Sequence, residues 1–291
     1  MKELISENLP RVYRQKVPVQ QTTIQKEKLR DIYHGLVPET VRKTIYRVRK
    51  GYPKNYPTTI STVFENLKVK FKVHSILEHE RARNLSYESN YLKEFLEIIE
   101  NTSKINFWDV GAYVGVWTLL AAKKNKNCQI WSFEPEPECR AALNRNLLIN
   151  HIDKNRVTTL PYAISNEQKI IQLYSSGLGG GCAAIINALE HKNIIQVETN
   201  SVDNLIEQRI ADEPQIMKVD IEGAEILLIK GMNRFKPKHL FIEIHPQLLE
   251  DFYHSSKAKL WEEILNRNYK PISIGERKKS LLCHFELISN E

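Results

Sequence analysis

Apolar runs alternate with helix-compatible stretches along the last two thirds of the chain. Residues 105–108 are β-prone, and residues 116–124 after them are compatible with a helix. The predicted strands after the first are 128–133, 156–162, 169–174, 214–219, 238–245, 269–274 and 282–287, and further helices are predicted over 138–150 and 257–266. Strands that alternate with helices predict an α/β fold built on a mostly parallel sheet.

The first third of the chain has a different pattern. Residues 51–57 have the glycine and prolines of a linker or turn. Residues 67–73 alternate like a half-buried strand, and residues 91–100 indicate a helix. We therefore predict three parts: a basic helical segment over 1–60, a strand and helix over 61–104 that cap the main domain, and the main domain over 105–291.

An acidic residue and two glycines follow the first strand of the main domain. Asp109, Gly111 and Gly115 stand where this strand turns into a helix. Gly111 can take a positive φ, and Gly115 lets a ligand or a neighbouring element come close where a Cβ would clash. The G-x-x-x-G spacing lacks the glycine pattern of a dinucleotide site. The loop predicts a site for another nucleotide-like cofactor, with a tight turn and close helix–strand packing as the alternative.

A second acidic residue supports binding of a nucleoside. Glu134, followed by Pro135, ends the strand 128–133. A carboxylate at the end of the second strand, about 20 residues after the loop, can accept both hydrogens of a ribose diol. Two strand-end features thus point to one nucleoside.

Three more polar residues lie at predicted strand ends. Asp220 follows the strand 214–219, and Glu243 and His245 lie near the end of the strand 238–245. Ligands of open α/β sheets collect at the carboxyl ends of strands. Because alternate strand residues share a face, we expect Glu243 and His245 to point toward the same cleft.

Four strings of the main domain carry a resemblance to a known family. In chain order they are DVGAYVGVWTLLA, FEPEPECRAALNRNLLIN, KVDIEGAEILLIKGM and FIEIHP, of which K-x-D-x-E-G-x-E is the most specific. They resemble the FkbM family of S-adenosylmethionine-dependent methyltransferases. The resemblance implies a class I methyltransferase fold, which is a Rossmann-like, mostly parallel seven-stranded sheet with an antiparallel final strand and helices on both faces. Residues before 105 would add an N-terminal α/β extension.

The resemblance also implies a cofactor, an acceptor and a set of binding residues. The methyl donor would be S-adenosylmethionine, and the acceptor a hydroxyl of a sugar, glycan or related small molecule such as a polyketide. Tyr113 stands where the family more often has Asn or another small polar residue, so we expect only backbone contacts there. Ala163 would line the adenine pocket. The implied cofactor site consists of Asp109, Gly111, Ala112, Tyr113, Gly115, Glu134, Pro135, Ala163 and Asp220.

Methylation of a hydroxyl needs alignment and removal of a proton. The candidate catalytic residues are Asp220, Glu243 and His245. His245 has the unperturbed pKa best suited to a base at neutral pH, with Glu243 or Asp220 orienting its ring. The alternative is a purely structural histidine. We expect Glu222 and Glu225 to stabilise the start of the next helix, since carboxylates are favourable at helix N-termini.

The same three residues have the chemistry of a metal site. Oxygen ligands from adjacent strand ends suit Mg²⁺, so Asp220, Glu243 and His245 could hold a divalent ion. Spacing alone does not separate a base and its orienting group from two metal ligands. We rank metal-free catalysis first and expect no metal, because the family that the chain resembles is not defined by a metal site.

Composition is that of an ordinary soluble enzyme. With 291 residues, 42% of them hydrophobic and 26% charged, the chain can bury one large core plus an appendage. No apolar run reaches the ~18 residues of a membrane span, and residues 1–8 lack a signal-peptide core. The four cysteines contain no C-x-x-C pair. We therefore expect a reducing cytoplasm.

Positive charge is concentrated near the N-terminus. Residues 1–60 contain 13 Lys/Arg and 5 Asp/Glu, a balance of +8 against a total of +7 for the chain. Residues 37–50 predict a basic amphipathic helix with Val41, Ile45 and Val48 on one face. It either packs on the catalytic domain or lies on an anionic membrane surface as a peripheral contact. Nucleic acid is not expected, because no basic stretch is interleaved with aromatic residues.

Two other classes of function remain open from the sequence. A non-catalytic module that binds S-adenosylmethionine would not need the acidic and histidine positions at the strand ends, all of which are present. An oxidoreductase that uses NAD is disfavoured by the glycine spacing.

Overall fold

A computed structural model describes residues 38–41, 51–53, 55–83, 85, 89–175, 183–184, 193–277 and 279–288. The chain divides into two compact units, Met1–Lys54 and Asn55–Glu291. In the first unit, residues 39–41 are helical, and the rest of the predicted helix over 37–50 lies outside the described residues apart from Pro38. No helix within the described ranges is long and apolar enough to cross a membrane.

The second unit contains all the regular elements discussed below. Its strands are β1 (Thr58–Phe64), β2 (Leu67–Val73), β3 (Ile105–Val110), β4 (Cys128–Phe133), β5 (Val157–Leu160), β6 (Ala163–Ile164), β7 (Lys169–Ser175), β8 (Ala183–Ala184), β9 (Asn193–Asn200), β10 (Ile216–Val219), β11 (His239–Ile244), β12 (Tyr269–Arg277) and β13 (Ser280–Leu287). Its helices are α1 (Ile76–Arg83), α2 (Ser89–Asn101), α3 (Val116–Lys124), α4 (Pro137–Ile149), α5 (Val202–Glu207), α6 (Glu225–Lys230), α7 (Pro246–Tyr253) and α8 (Lys257–Leu265).

Seven strands form the central sheet, in the order β12-β13-β11-β10-β3-β4-β5. The pairs from β11 to β5 are parallel, and β13 runs antiparallel to both of its neighbours. All four residues of β10 are buried, as expected of a parallel strand covered on both faces. This sheet confirms the predicted seven-stranded, mostly parallel fold with its antiparallel final strand.

Helices cover both faces of the sheet because successive residues of a strand point to opposite sides. Phe107 of β3 packs with α2 and α3 in one buried cluster, where its ring lies 4.9 Å from that of Phe95. The next residue, Trp108, belongs to the second cluster, where its ring lies 4.8 Å from that of Phe133. The site described below lies at the carboxyl edge of this double-sided core.

An antiparallel hairpin of β1 and β2 precedes the main domain. The predicted strand 67–73 and the predicted helix 91–100 are present as β2 and α2, whereas β1 was not predicted. The backbone amides of Lys70 and Lys72 donate to the side chains of Asn150 and Asn146, which fixes β2 on α4. The predicted boundary after residue 60 falls inside β1, and the compact unit begins at Asn55.

A second sheet has the order β6-β9-β7-β8. It contains the predicted strand 169–174 as β7, paired antiparallel with β9. β9 was not predicted from the sequence. β6 pairs in parallel with the end of β9, so this sheet begins where β5 ends.

Candidate active site

Four polar or glycine-containing segments meet at the carboxyl edge of the central sheet. Glu134 follows β4, the glycine loop follows β3, Asp220 follows β10, and Glu243 and His245 lie at the end of β11. Because β4, β3, β10 and β11 are successive neighbours in the sheet, their ends form one row. The structure thus brings the predicted cofactor and catalytic residues to one edge.

Both glycines of the loop are required by its geometry. Gly111 and Gly115 have φ values of 77° and 89°. A Cβ on Gly111 would lie 1.9 Å from the carbonyl oxygen of Asp220, and one on Gly115 would lie 2.2 Å from Cδ1 of Leu143. The tight turn and close packing considered from the sequence are therefore present, and they seat the loop directly against β10 and α4.

The amides of the loop already have acceptors within the protein. The N–H groups of Gly111 and Ala112 donate to the carbonyl of Phe133, at 3.0 and 3.1 Å. The N–H of Tyr113 donates to Oε2 of Glu134 at 2.7 Å. These three amides therefore hold the loop against the end of β4.

Glu134 fits the ribose of a nucleoside cofactor. The residue is 6% exposed, and its Oε1 and Oε2 accept from the amides of Glu136 and Tyr113. Each carboxylate oxygen has a second lone pair, so two further hydrogen bonds, as from a ribose diol, can be accepted. Burial raises the pKa of Glu134 to about 7, although the two amides favour the ionised form. Its charge is therefore sensitive to pH near neutrality.

Pro135 and Ala163 flank this carboxylate. Nη1 of Arg140 donates to the carbonyls of Glu134 and Pro135, at 2.8 and 3.1 Å, and so fixes the chain after β4. The amide of Glu134 donates to Leu160 at the end of β5, so the residues that follow β5 lie beside it. Ala163 opens β6 there and is half-buried. Its contact with adenine stays a prediction.

Asp109 lies beneath the loop. It is 1% exposed, and its Oδ2 accepts from the amide and the hydroxyl of Thr118, at 3.1 and 2.7 Å. The acid therefore holds the first turn of α3 to the end of β3. This burial favours an indirect role in the cofactor site over the direct contact that we predicted.

Lys218 is a site residue that sequence reasoning missed. Its Nζ donates to the carbonyl of Gly111 at 3.0 Å and lies 3.5 Å from Oδ1 of Asp109 and 3.8 Å from Oδ2 of Asp220. A signal was available, because Lys218 and Asp220 are two residues apart on one strand and share a face.

His245 lies among carboxylates. Its Nδ1 is 2.9 Å from Oε1 of Glu225. Its Nε2 is 3.6 Å from Oε2 of Glu222, 3.6 Å from Oε1 of Glu243 and 3.9 Å from Oδ1 of Asp220. Glu243 and His245 therefore share one cleft, as their spacing predicts.

The pKa of His245 differs from the near-neutral value expected from the sequence. Burial alone would lower it, but the hydrogen bond to Glu225 and the charges of Glu222 and Asp220 outweigh burial and raise the pKa to about 9. A raised pKa makes the ring a better hydrogen-bond donor and a poorer proton acceptor at neutral pH, which argues against His245 as the base. Its part in the reaction stays a prediction.

Glu225 lies in the first turn of α6, where a carboxylate was expected to stabilise the helix, and both Glu225 and Glu222 also face His245. α6 begins after Ala224 without a side-chain cap. Glu225 is fully buried and accepts from the amide of Gly223 at 3.0 Å as well as from His245, so Glu225 orients the ring in place of Glu243 or Asp220. Burial raises the pKa of Glu225. Glu222 has a φ of 50° and turns its carboxylate toward Nε2 of His245.

Glu243 is held from the opposite side by the hairpin of β12 and β13. Nη1 of Arg277 donates to Oε2 at 2.9 Å, and the hydroxyl of Ser280 donates to Oε1. Burial and the neighbouring Asp220 raise the pKa of Glu243. Glu243 is therefore paired with a cation and with a hydroxyl, as expected of a residue that supports other groups of the site.

The three predicted catalytic residues also satisfy the distance requirement of a metal site. One ligand atom each of Asp220, Glu243 and His245 lies within 4.8 Å of the others. A divalent ion would have to displace the proton of His245 and share Glu243 with Arg277. Metal-free chemistry remains our prediction.

The fold and the row of strand-end residues define a class I S-adenosylmethionine-dependent methyltransferase. The methyltransferase FkbM domain family matches residues 109–271, which is more than half of the chain. The chain belongs to this family. Membership decides among the classes that the sequence left open: the protein is a methyltransferase, and neither a bare binding module nor an oxidoreductase that uses NAD.

Individual proteins are similar in sequence or structure to parts of this chain. A hexuronic acid methyltransferase, AglP, from Haloferax volcanii is 28% identical over 219 residues, which cover 72% of this chain and 85% of that protein. The methyltransferase sdnD from Sordaria araneosa is 25% identical over 154 residues, which cover 43% of this chain and 59% of that protein. A putative S-adenosylmethionine-dependent methyltransferase from Streptococcus mutans superposes with a TM-score of 0.49 at 8% identity, covering 81% of this chain and 57% of that one.

Proposed function

We propose that this enzyme transfers the methyl group of S-adenosylmethionine to a hydroxyl of a sugar or glycan. The observation that carries the proposal is the pair of partly exposed carboxylates, Asp220 and Glu222, with side chains 29% and 33% exposed beside His245. Carboxylates accept hydrogen bonds from neighbouring hydroxyls, which is the recognition that a polyhydroxylated acceptor needs. The relative AglP, a hexuronic acid methyltransferase, supports a saccharide as the acceptor.

The donor side would be formed by the residues around the glycine loop. S-adenosylmethionine supplies an electrophilic methyl group when it is bound. Glu134 would accept the ribose hydroxyls, and the chain from Tyr162 to Ala163 would border the adenine. Asp109 and Lys218 would hold the loop from beneath.

Asp220 is the group we assign to accept the hydroxyl proton. It is a partly exposed carboxylate at the centre of the row, between Lys218 and His245. As the oxygen attacks the methyl group its proton becomes acidic, so a carboxylate can take the proton in the same step, an effect of typically ~10²–10⁴-fold. His245, as a cation oriented by Glu225, would hold the acceptor oxygen, and Glu243 would support His245.

The proposal is tested by incubating the protein and S-adenosylmethionine with free hexoses, hexuronic acids, nucleotide sugars and lipid-linked saccharides. We expect a product heavier by one methylene group, whose NMR spectrum shows a methyl ether. With S-adenosylmethionine at saturation, the Asp220→Asn variant should turn over at least ~10²-fold more slowly. Methylation only of amines or carboxylates, or of no saccharide in the panel, would overturn the proposal.

A further inference from the structure

A buried lysine lies between the donor and acceptor sides of the site. Lys218 is 6% exposed and occupies the central strand β10. It contacts the carbonyl of Gly111 on one side and approaches the carboxylate of Asp220 on the other. A buried ammonium is stable only where carbonyls and carboxylates replace its water. Lys218 can therefore be buried here because the carbonyl of Gly111 and the carboxylate of Asp220 lie on either side of its ammonium group.

On the donor side, Lys218 balances the charge of Asp109. Oδ2 of Asp109 is bonded to Thr118, whereas its buried Oδ1 accepts no hydrogen bond from the described residues. The nearest charge to Oδ1 is the ammonium of Lys218 at 3.5 Å. Gly111 is held from two directions, since its amide donates to Phe133 and its carbonyl accepts from Lys218. Loss of the ammonium would release the carbonyl side of the loop.

On the acceptor side, Lys218 fixes the direction of Asp220. Oδ2 of Asp220 is 3.8 Å from Nζ of Lys218, and Oδ1 is 3.9 Å from Nε2 of His245, so the carboxylate lies between the ammonium group and the imidazole ring. Without Lys218 the carboxylate would be drawn toward His245 alone. Its position relative to the donor loop would then no longer be set.

We infer that Lys218 is a positioning residue that ties the donor loop to Asp220 and so sets the distance between methyl donor and proton acceptor. The inference rests on the proposed function. It assigns Lys218 no contact with substrate. Misplacement of a reacting group by about 1 Å can cost ~10²-fold in rate, so a tie of this kind affects turnover more than acceptor binding.

The test is the Lys218→Met variant, which keeps the length of the side chain and removes its charge. The control is Lys230→Met, at the exposed end of α6. With a saccharide acceptor, we expect kcat of Lys218→Met to fall about tenfold or more while KM for the acceptor changes less than about threefold. Lys230→Met should stay close to wild type. In an Asp220→Asn background, Lys218→Met should cause no further loss, because the lysine acts through Asp220.

Unchanged kcat per folded molecule in Lys218→Met would overturn the inference, as would multiplicative losses in the double variant. If Lys218→Met fails to fold, Asp109→Asn/Lys218→Met removes both charges of the buried pair and is compared with Asp109→Asn. Calorimetry with S-adenosylhomocysteine needs no acceptor: we expect weaker binding by Lys218→Met, and unchanged affinity also overturns the inference. A wild-type enzyme inactive on every saccharide would instead contradict the proposed acceptor class.

Discussion

The buried carboxylate of Glu225 lies 2.9 Å from Nδ1 of His245, and this contact largely decides the charge of the imidazole at the centre of the site. Burial alone would favour a neutral ring, but Glu225 and the two carboxylates beyond it raise the pKa of His245 to about 9. In the proposed reaction the histidine is therefore a hydrogen-bond donor, and a carboxylate, which we assign as Asp220, takes the proton of the acceptor hydroxyl.

Replacing Glu225 by Gln should lower the pH at which activity declines on the alkaline side. His245 must keep its proton to hold the acceptor oxygen, so wild-type kcat should fall as pH rises through about 9. Glutamine keeps the shape but removes the charge that most favours the imidazolium. The alkaline limb of the profile should therefore move toward neutrality, which is measured as kcat between pH 6 and 10.

The control for this variant is Glu250→Gln on the exposed side of α7, whose profile should match wild type. An identical alkaline limb in Glu225→Gln and wild type would show that His245 does not act as a cation. His245→Ala should lose both the limb and ~10²-fold of turnover.

Affinity for the cofactor should decline as pH falls below neutrality. Glu134 has a pKa of about 7 in the free protein, because burial disfavours its charge. Ribose hydroxyls bond best to the ionised form, so cofactor binding releases the proton, and Kd should rise by up to about tenfold per pH unit below pH 7. The measurement is calorimetry with S-adenosylhomocysteine from pH 5.5 to 8.5.

Glu134→Gln separates this titration from that of the ligand itself. The variant should bind more weakly at pH 8 by roughly 1.5–3 kcal/mol, the range for hydrogen bonds to a charged group, and its Kd should follow only the titration of the ligand. Equal pH dependence in the variant and wild type would reject Glu134 as the ribose acceptor.

Gly111→Ala should destabilise the protein, since the methyl group would lie 1.9 Å from the carbonyl oxygen of Asp220 at a φ of 77°. The left-handed conformation alone costs roughly 1–2 kcal/mol, and relief of the clash adds to it. We expect a loss of about 2 kcal/mol or more in urea unfolding. Gly275→Ala is the matched control, because its Cβ would meet no atom closer than 3.9 Å. Equal stability of the two variants would contradict the close approach of loop and β10.

Removal of metal should leave activity unchanged. Asp220, Glu243 and His245 lie close enough to share an ion, but His245 carries a proton and Glu243 is bonded to Arg277 and Ser280. A cation would have to displace these partners. Dialysis against EDTA followed by assay in metal-free buffer checks this prediction. Loss of turnover that Mg²⁺ or Mn²⁺ restores would make the three residues ligands.

The strands of the central sheet were predictable because a parallel strand buried on both faces is a short, mostly apolar run. Ile216–Val219 and His239–Ile244 are of this kind, although they also bury Lys218 and Glu243. β1 and β9 were not predicted because neither has the regular alternation that identified β2: Thr and Ser fill four of the seven positions of β1, and β9 has two consecutive isoleucines and an Asn at each end. A strand is easiest to predict where its residues form one mostly apolar run or alternate regularly.

The site residues at strand ends were predicted from the sequence, whereas the partners that other elements bring to them were not. Asp220, Glu243 and His245 were found because their position on the sheet follows from the order of strands. Glu225 was missed because its partner depends on which side of α6 faces the end of β11, twenty residues later. Glu225 contacts His245, and Lys218 contacts Gly111. Each contact joins two separate elements of the chain, and local sequence does not show that these elements meet.

The basic segment 37–50 remains outside the described residues except for 38–41, and its role is the last prediction. If it lies on an anionic membrane surface, each Lys or Arg near the lipid contributes about 1 kcal/mol. Changing Lys43, Arg47 and Lys50 to Gln should then weaken binding to phosphatidylserine vesicles by roughly 100-fold, with a matching loss of salt dependence. Cofactor affinity should not change.

The control removes the same number of charges from the catalytic domain, at the exposed residues Lys126, Lys154 and Lys238. Net charge falls equally in both triple variants, so a difference between them reports the location of the positive charge and not its sum. Stronger loss of vesicle binding in the 37–50 variant supports peripheral contact with a cytoplasmic membrane face. Equal binding by the two variants favours the other reading, in which this helix packs on the protein and its cations face solvent.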